Sequence, residues 1–268
     1  MVEDEYNRTF NFYHTPDYKK VPMFSNVYST FKGRPFNLRD VQKHGIGRLV
    51  NTGVGILAHD VGFGKTISGI LAISEVMHRG WAKKPIIVVP SENVYQQWIN
   101  TIEELIPDAK LNLLGNLGVT YKGDLSTLEI PEGSISILTY EGFKRLGFND
   151  ETYDTLSSKF NYIADDLTKH KTERDREKAK TEAQASGGKM KKGTRTDLSF
   201  EDLGFDHITF DEVHNANHIV GKVKLEKGQA SEFNRFSLRP SDLGLKTWLA
   251  TQYIQSKNDG RNVNLLSA

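Results

Sequence analysis

The stretch from Gly55 to Gly69, GILAHDVGFGKTISG, limits what this chain can fold into more than any other. Residues 55–59 form a short apolar run that reads as a buried strand. Two glycines and Lys65-Thr66 follow, and then Ile67, Ile70, Leu71, Ser74 and Met77 recur at helical spacing over 66–79. A strand that turns sharply into a helix needs backbone conformations closed to most residues, and Gly62 and Gly64 supply them. The start of such a helix offers unpaired N–H groups and a positive dipole end to an anion. Lys65 adds a cation that reaches the β- and γ-phosphates of a nucleotide, and the Thr66 hydroxyl is a ligand for magnesium. The usual phosphate-loop pattern, G-x-x-x-x-G-K-S/T, is met at Gly64, Lys65 and Thr66, but His59 stands where its first glycine falls. By itself the segment fits either a phosphate cradle or a tight strand-to-helix turn.

The rest of the chain supports an alternating pattern. Strand candidates lie at 85–90, 110–115, 134–140, 207–212 and 262–266. Helical periodicity appears over 37–50, where Leu38, Val41, Ile46 and Leu49 share a face, and over 243–256. A third helix follows Ser91, a candidate cap, and carries the stripe Val94, Trp98, Ile102 and Leu105 until Pro107 ends it. Trp98 on that stripe reads as core packing. Strands alternating with helices imply a three-layer α/β domain with a mainly parallel sheet and ligands at the carboxyl ends of its strands. Residues 1–36 lack a clear period and read as an arm whose aromatics pack on the domain. The domain itself spans 37–268, with a charged helical and loop insertion at about 151–200 that includes a basic glycine-rich loop at 185–196.

Charge and cysteine content bound the function. With 35 basic and 34 acidic residues the net charge is +1, so any surface for nucleic acid is local. There is no cysteine, which excludes disulfides and thiolate metal sites. No signal-peptide pattern opens the chain and no apolar run is long enough to span a bilayer, so a soluble cytoplasmic protein without a membrane partner is expected.

A second chemical element is ITFDEVH, residues 208–214. Two carboxylates at the end of an apolar strand divide naturally between two jobs. Asp211 holds magnesium, directly or through water, and Glu212 orients and deprotonates an attacking water. A merely solvated strand end is the other reading of this element alone. His214 and His218, four apart, would share zinc only if helical, and the reading of His214 below needs no metal.

Taken together these segments resemble superfamily 2 helicases. LAHDVGFGKT looks like their motif I, closest to the Swi/Snf-type form LADEMGLGKT, which also lacks the first glycine; His59 stands where that group has aspartate. DEVH (211–214) is similar to the DEAH box of motif II, with Val213 in place of alanine. VVPSENVYQQW (88–98) resembles motif Ia, ILTYEGF (137–143) motif Ib, and LRDVQ (38–42) the stretch upstream of motif I whose glutamine reads adenine. LLSA (265–268) is similar to the start of motif III. LLSA and the segment DEVHNANH (211–218) also resemble bacterial and phage helicases fused to DNA methyltransferases.

The resemblance implies a RecA-like first lobe that binds ATP and Mg2+ and works on DNA, with double-stranded DNA favoured. Gln42, aided by Arg39, would contact adenine. Gly62, Gly64, Lys65 and Thr66 would hold phosphate, Thr66 and Asp211 the metal, and Lys65, Asp211 and Glu212 would be catalytic. His214 would couple the nucleotide site to the nucleic-acid side, and Pro90, Ser91, Thr139 and Tyr140 would lie along one strand's phosphates. The second lobe with its arginine finger is expected outside this sequence, so that this chain alone turns ATP over slowly. A non-catalytic nucleotide- or nucleic-acid-binding scaffold module is the alternative. A phosphate-loop kinase fits poorly with the DEAH-like box, the QW segment and Gln42.

Overall fold

A computed structural model describes Glu5 and residues 16–117, 119, 121, 123, 127–157, 198–216 and 242–267. Most of the insertion expected at 151–200 lies outside the described residues, as do His218 and the first fifteen residues of the arm apart from Glu5.

The described arm contains a 3-10 turn at Tyr18–Lys20 and a small antiparallel pair, β1 (Thr30–Phe31) and β2 (Arg34–Pro35). Helices and strands then alternate: α1 (Asp40–Thr52), β3 (Val54–Ala58), α2 (Lys65–His78), β4 (Pro85–Val89), α3 (Glu92–Leu105), β5 (Leu111–Gly115) and β6 (Ile135–Thr139). The short α4 (Tyr140–Phe143), α5 (Asp150–Ser157), β7 (His207–Phe210), a 3-10 turn at Val213–Ala216, α6 (Asp242–Lys257) and β8 (Val263–Ser267) complete the described chain. Strands β3 to β8 pair in parallel in the order β3-β8-β7-β4-β6-β5.

The sheet divides two cores. Every residue of β4 is buried. Ile86 and Val88 join Phe143, Phe200, Phe210, Leu249 and Ile254 on one face, while Ile87 and Val89 join Ile46, Ile70, Ile73, Trp98 and Ile102 on the other. That alternation along one strand is the signature of a sheet covered on both sides. Helices α1, α2 and α3 form one outer layer, and α4, α5 and α6 the other. The result is the three-layer RecA-like α/β fold. Among the described residues no helix is long and apolar enough to cross a membrane.

Several local expectations are corrected. β7 stops at Phe210, because Glu212 takes a φ of 51° that breaks an extended strand. β6 stops at Thr139, whose hydroxyl accepts a hydrogen bond from the Gly142 N–H at 3.2 Å and starts α4. Ser91 occupies the cap position of α3, yet its side chain makes no capping hydrogen bond. The stripe expected on α2 widens to a continuous buried run from Ser68 to Val76, because α1, α3 and the arm enclose it. The arm is held by Glu75, whose fully buried carboxylate accepts from the Phe24 and Ser25 N–H groups at 2.8 and 2.9 Å and from Arg79 Nε at 2.7 Å. Burial alone would raise the Glu75 pKa; the hydrogen bonds from Ser25, Arg79 and Phe24 together outweigh it and hold the carboxyl below its usual range.

Candidate active site

β3 delivers the chain to the carboxyl edge of the sheet at Ala58. Gly62 (φ 87°) and Gly64 (φ 78°) then turn it into α2, with Gly64 as the left-handed residue just before the helix. A side chain at either position would be strained, which explains the glycines. The first N–H groups of α2 lack helical partners and are available to an anion. The half-buried Lys65 folds back across the loop and donates from Nζ to the His59 carbonyl at 2.8 Å. Thr66 sits beside it in the first helical turn. Burial, and next the Lys65 charge, lower the His59 pKa, so its imidazole is neutral near pH 7.

Gln42, in the first turn of α1, closes on this loop. It is buried, its Oε1 accepts from the Arg39 N–H at 3.0 Å, and a Cβ on Gly64 would meet its Nε2 at 2.4 Å. The structure thus brings Arg39, Gln42, Gly62, Gly64, Lys65 and Thr66 into one neighbourhood, although they come from two elements.

The acidic pair sits across β8. Ala58 pairs with Ser267 and Phe210 with Leu265, so the ends of β3 and β7 flank the end of β8, about 10 Å apart at two strand spacings. Asp211 is buried, its N–H donates to the Val88 carbonyl at 2.9 Å, and its Oδ1 accepts from the Glu212 N–H at 3.1 Å. Its Oδ2 accepts from the Trp98 indole N–H at 2.7 Å. Burial raises the Asp211 pKa; the Trp98 bond opposes this, the Glu212 charge adds to it, and Lys65 is among the charges that pull it down. The phosphate loop and the acidic pair are therefore within electrostatic reach of one another.

The bend at Glu212 is braced from β6. The Tyr140 hydroxyl donates to the Asp211 carbonyl and lies 3.0 Å from the Glu212 carbonyl. Burial, then Asp211 and Glu212, push the Tyr140 phenol well above its ordinary pKa, so it stays a protonated donor. Glu212 Oε2 is buried without a hydrogen-bond partner and lies 3.3 Å from His214 Nδ1. That same nitrogen is 3.1 Å from the Ser267 hydroxyl at the end of β8. A carboxylate oxygen buried without a hydrogen bond, on a residue with left-handed backbone, is costly, and such costs cluster at reactive sites.

The expected nucleic-acid residues separate. Pro90 is half-buried and Ser91 exposed at the end of β4. Thr139 and Tyr140 are buried, and their hydroxyls bond the Gly115 carbonyl and the Asp211–Glu212 bend. The side chains of Thr139 and Tyr140 therefore point inward and are not presented to a phosphate backbone. Sequence reasoning also missed that Trp98, although packed in the core, reaches Asp211. The signal was available, since a buried indole N–H almost always finds an acceptor.

Among the described residues no three acidic or histidine side chains converge as a metal cage. Magnesium does not require one, because it keeps most of its waters and takes one or two protein ligands. Asp211 keeps a free lone pair on each oxygen, which together with the Thr66 hydroxyl fits such an ion.

The chain is similar to several known proteins. Relatives include the chromatin-remodelling ATPase INO80 of Eremothecium gossypii, 33% identical over 78 residues that are 28% of this chain and 6% of that protein. The uncharacterized ATP-dependent helicase YqhH of Bacillus subtilis is 47% identical over 57 residues, 20% of this chain and 10% of that one. Defense against restriction protein B of Escherichia phage P1 is 23% identical over all of this chain and 14% of its own length. The chain thus matches only a small share of each curated relative. The family model of the type III restriction enzyme res subunit matches residues 35–233, which take in both the phosphate loop and the acidic pair. The chain belongs to that family, as a RecA-like lobe of the superfamily 2 helicase type.

Proposed function

We propose that this chain is the ATP-binding lobe of a DNA-dependent ATPase of translocase, helicase or remodeller type, which hydrolyses ATP together with a second RecA-like lobe. The observation that carries this reading is a positive-φ loop bearing Lys65, whose charge acts on Asp211 across β8, beside a Glu212 carboxylate oxygen that has no hydrogen-bond partner among the described residues. The helicase and remodelling ATPase names among the relatives support the class.

In this reading the N–H groups at 62–66 and the Lys65 ammonium bind the β- and γ-phosphates, and Gln42 with Arg39 binds adenine. Asp211 and Thr66 hold Mg2+, which neutralises charge developing on the phosphate oxygens. Glu212 takes the proton of a water whose oxygen bonds the γ-phosphorus while the bond to the ADP oxygen breaks. His214, set between Glu212 and Ser267, links the acidic bend to the end of β8. An arginine from the second lobe supplies roughly 10³–10⁵ in rate. Pro90 and Ser91, with the backbone at Thr139 and Tyr140, face a DNA strand, and double-stranded DNA is favoured.

Calorimetry of the 268-residue chain with Mg2+ and a non-hydrolysable ATP analogue tests the binding half. Micromolar or weaker affinity is expected, and no binding at millimolar analogue overturns the site. Phosphate release with and without DNA tests the other half. Strong DNA-stimulated turnover by this chain alone would remove the need for a second lobe.

A further inference from the structure

Trp98 joins three parts of the site. It lies in the middle of α3, which begins directly after Pro90 and Ser91, and it is fully buried. Its ring edge rests against α2: a Cβ on Gly69 would stand 3.0 Å from Trp98 Cη2. Its N–H reaches neither a main-chain carbonyl nor solvent. It donates to Asp211 Oδ2 at 2.7 Å, a short charge-assisted bond to a residue 113 positions further along the chain.

That choice of acceptor matters for the carboxylate. Among the described residues the other donor to the Asp211 carboxylate is the N–H of its own neighbour Glu212, which sits in a strained bend. The indole is therefore the donor anchored in the rigid core. Without it the carboxylate is free to rotate, and its buried charge loses a partner. An ion that takes few protein ligands depends on the orientation of each, and the groups that orient a ligand govern affinity nearly as strongly as the ligand itself. We propose that Trp98 is a positioning residue for Asp211, holding the metal-binding carboxylate in one orientation and tying it to the helices that begin at the phosphate loop and at Ser91. The inference rests on the reading of Asp211 as a magnesium ligand.

The test is a Mg2+ titration of the chain at a fixed concentration of a fluorescent, non-hydrolysable ATP analogue, read by polarization. Trp98→Phe removes the N–H and part of the ring. Replacing Trp98 by 3-benzothienylalanine removes only the N–H, because sulfur takes its place in a ring of the same shape, and this variant decides if the phenylalanine variant folds poorly. Both should raise the half-saturating Mg2+ concentration about tenfold, with analogue binding in excess chelator unchanged. Asp211→Asn should raise it at least as much, and adding Trp98→Phe to Asp211→Asn should produce no further shift. If Asp211→Asn leaves the Mg2+ requirement unmoved, the metal reading itself fails and the inference with it. If Asp211→Asn shifts it but neither Trp98 variant does, or if the shifts multiply in the double variant, Trp98 only packs and the inference is overturned.

Discussion

At the end of β3 the geometry is held by backbone. Gly62 and Gly64 set the loop through their positive φ angles, and none of the side chains of the loop itself, 59–66, is fully buried, although the buried Gln42 packs against Gly64. At the end of β7 the geometry is held by side chains. Trp98 and Tyr140 reach in from α3 and from the end of β6 to fix a buried Asp211 and a strained Glu212. The difference has a physical origin. A phosphate cradle needs N–H groups and a mobile cation, which glycine and a helix start provide without buried support. A buried carboxylate beside a left-handed bend is costly on its own and persists only where neighbours over-determine it. Damage at the first end should cost ligand and spare the fold. Damage at the second should cost both.

Lys65→Ala gives the largest expected effect and the cleanest test of that contrast. Charge-assisted hydrogen bonds contribute about 1.5–3 kcal/mol, so analogue affinity should fall about tenfold to a hundredfold. Denaturant unfolding should change by only about 0.5–1 kcal/mol, since Lys65 gives up one bond to the His59 carbonyl. Calorimetry and urea titration on the same preparation measure both. A large loss of stability would show that the loop depends on its side chains after all.

Tyr140→Phe probes the opposite end. It leaves the Asp211 carbonyl without its side-chain donor, while the Glu212 carbonyl keeps the Asn215 N–H and side-chain amide. Unsatisfied buried acceptors cost about 1–3 kcal/mol, so the urea midpoint should drop clearly, by about 1–2 kcal/mol in stability, while affinity for the analogue falls less than in Lys65→Ala. If stability is untouched, the bend at Glu212 holds itself.

The same contrast explains what was legible in the sequence. Gly62, Gly64, Lys65 and Thr66 fall within five residues, and the turn they form depends on local backbone, so spacing alone predicted that turn. The strand at 85–90 was readable because a buried parallel strand is an unbroken apolar run, whereas the strand expected to be buried at 55–59 is an edge strand that buries only Leu57. The contacts of Trp98 with Asp211 and of Tyr140 with the bend span 113 and 71 positions. No local pattern encodes which acceptor a core tryptophan will find, so Trp98 looked like packing and Tyr140 like a surface contact. Strand order was hidden for the same reason: helical crossovers imply parallel strands, but not that β8 lies between β3 and β7. Docking of the arm on Glu75 was equally invisible.

A smaller effect sharpens the comparison through pH. His207 begins the strand that ends at the acidic pair. It is fully buried, its Nδ1 has no partner, and burial lowers its pKa to about 3. The unfolded chain binds this proton below about 6.5 and the folded chain does not. Its contribution is therefore present above pH 6.5 and is lost as pH falls from there toward 3. Between pH 7 and 5.5 this one group should remove about 1 kcal/mol of stability. Glu75, held below the usual carboxylate range, adds a loss only at lower pH, as its own proton binds. Urea midpoints at several pH values for the wild type and His207→Phe test this. A difference profile that is flat from pH 7 to 5.5 would mean that His207 is protonated in the fold.

The smallest expected effect is at Glu212, where binding should not change at all. Among the described residues Glu212 bonds no part of the glycine loop: one carboxylate oxygen lacks a hydrogen bond and lies 3.3 Å from His214 Nδ1, and its carbonyl accepts from Tyr140 and Asn215. A group that acts on the attacking water contributes in the transition state and not to the bound nucleotide. Glu212→Gln keeps the size and the backbone and removes the charge and the basicity. Analogue affinity should stay within about a factor of two, less than about 0.4 kcal/mol. Any phosphate release by the chain should fall to the buffer rate, and DNA should stimulate neither form strongly. Loss of binding comparable to that of Lys65→Ala would place Glu212 on the nucleotide itself, and the division between a backbone-built end that binds and a side-chain-built end that reacts would not hold.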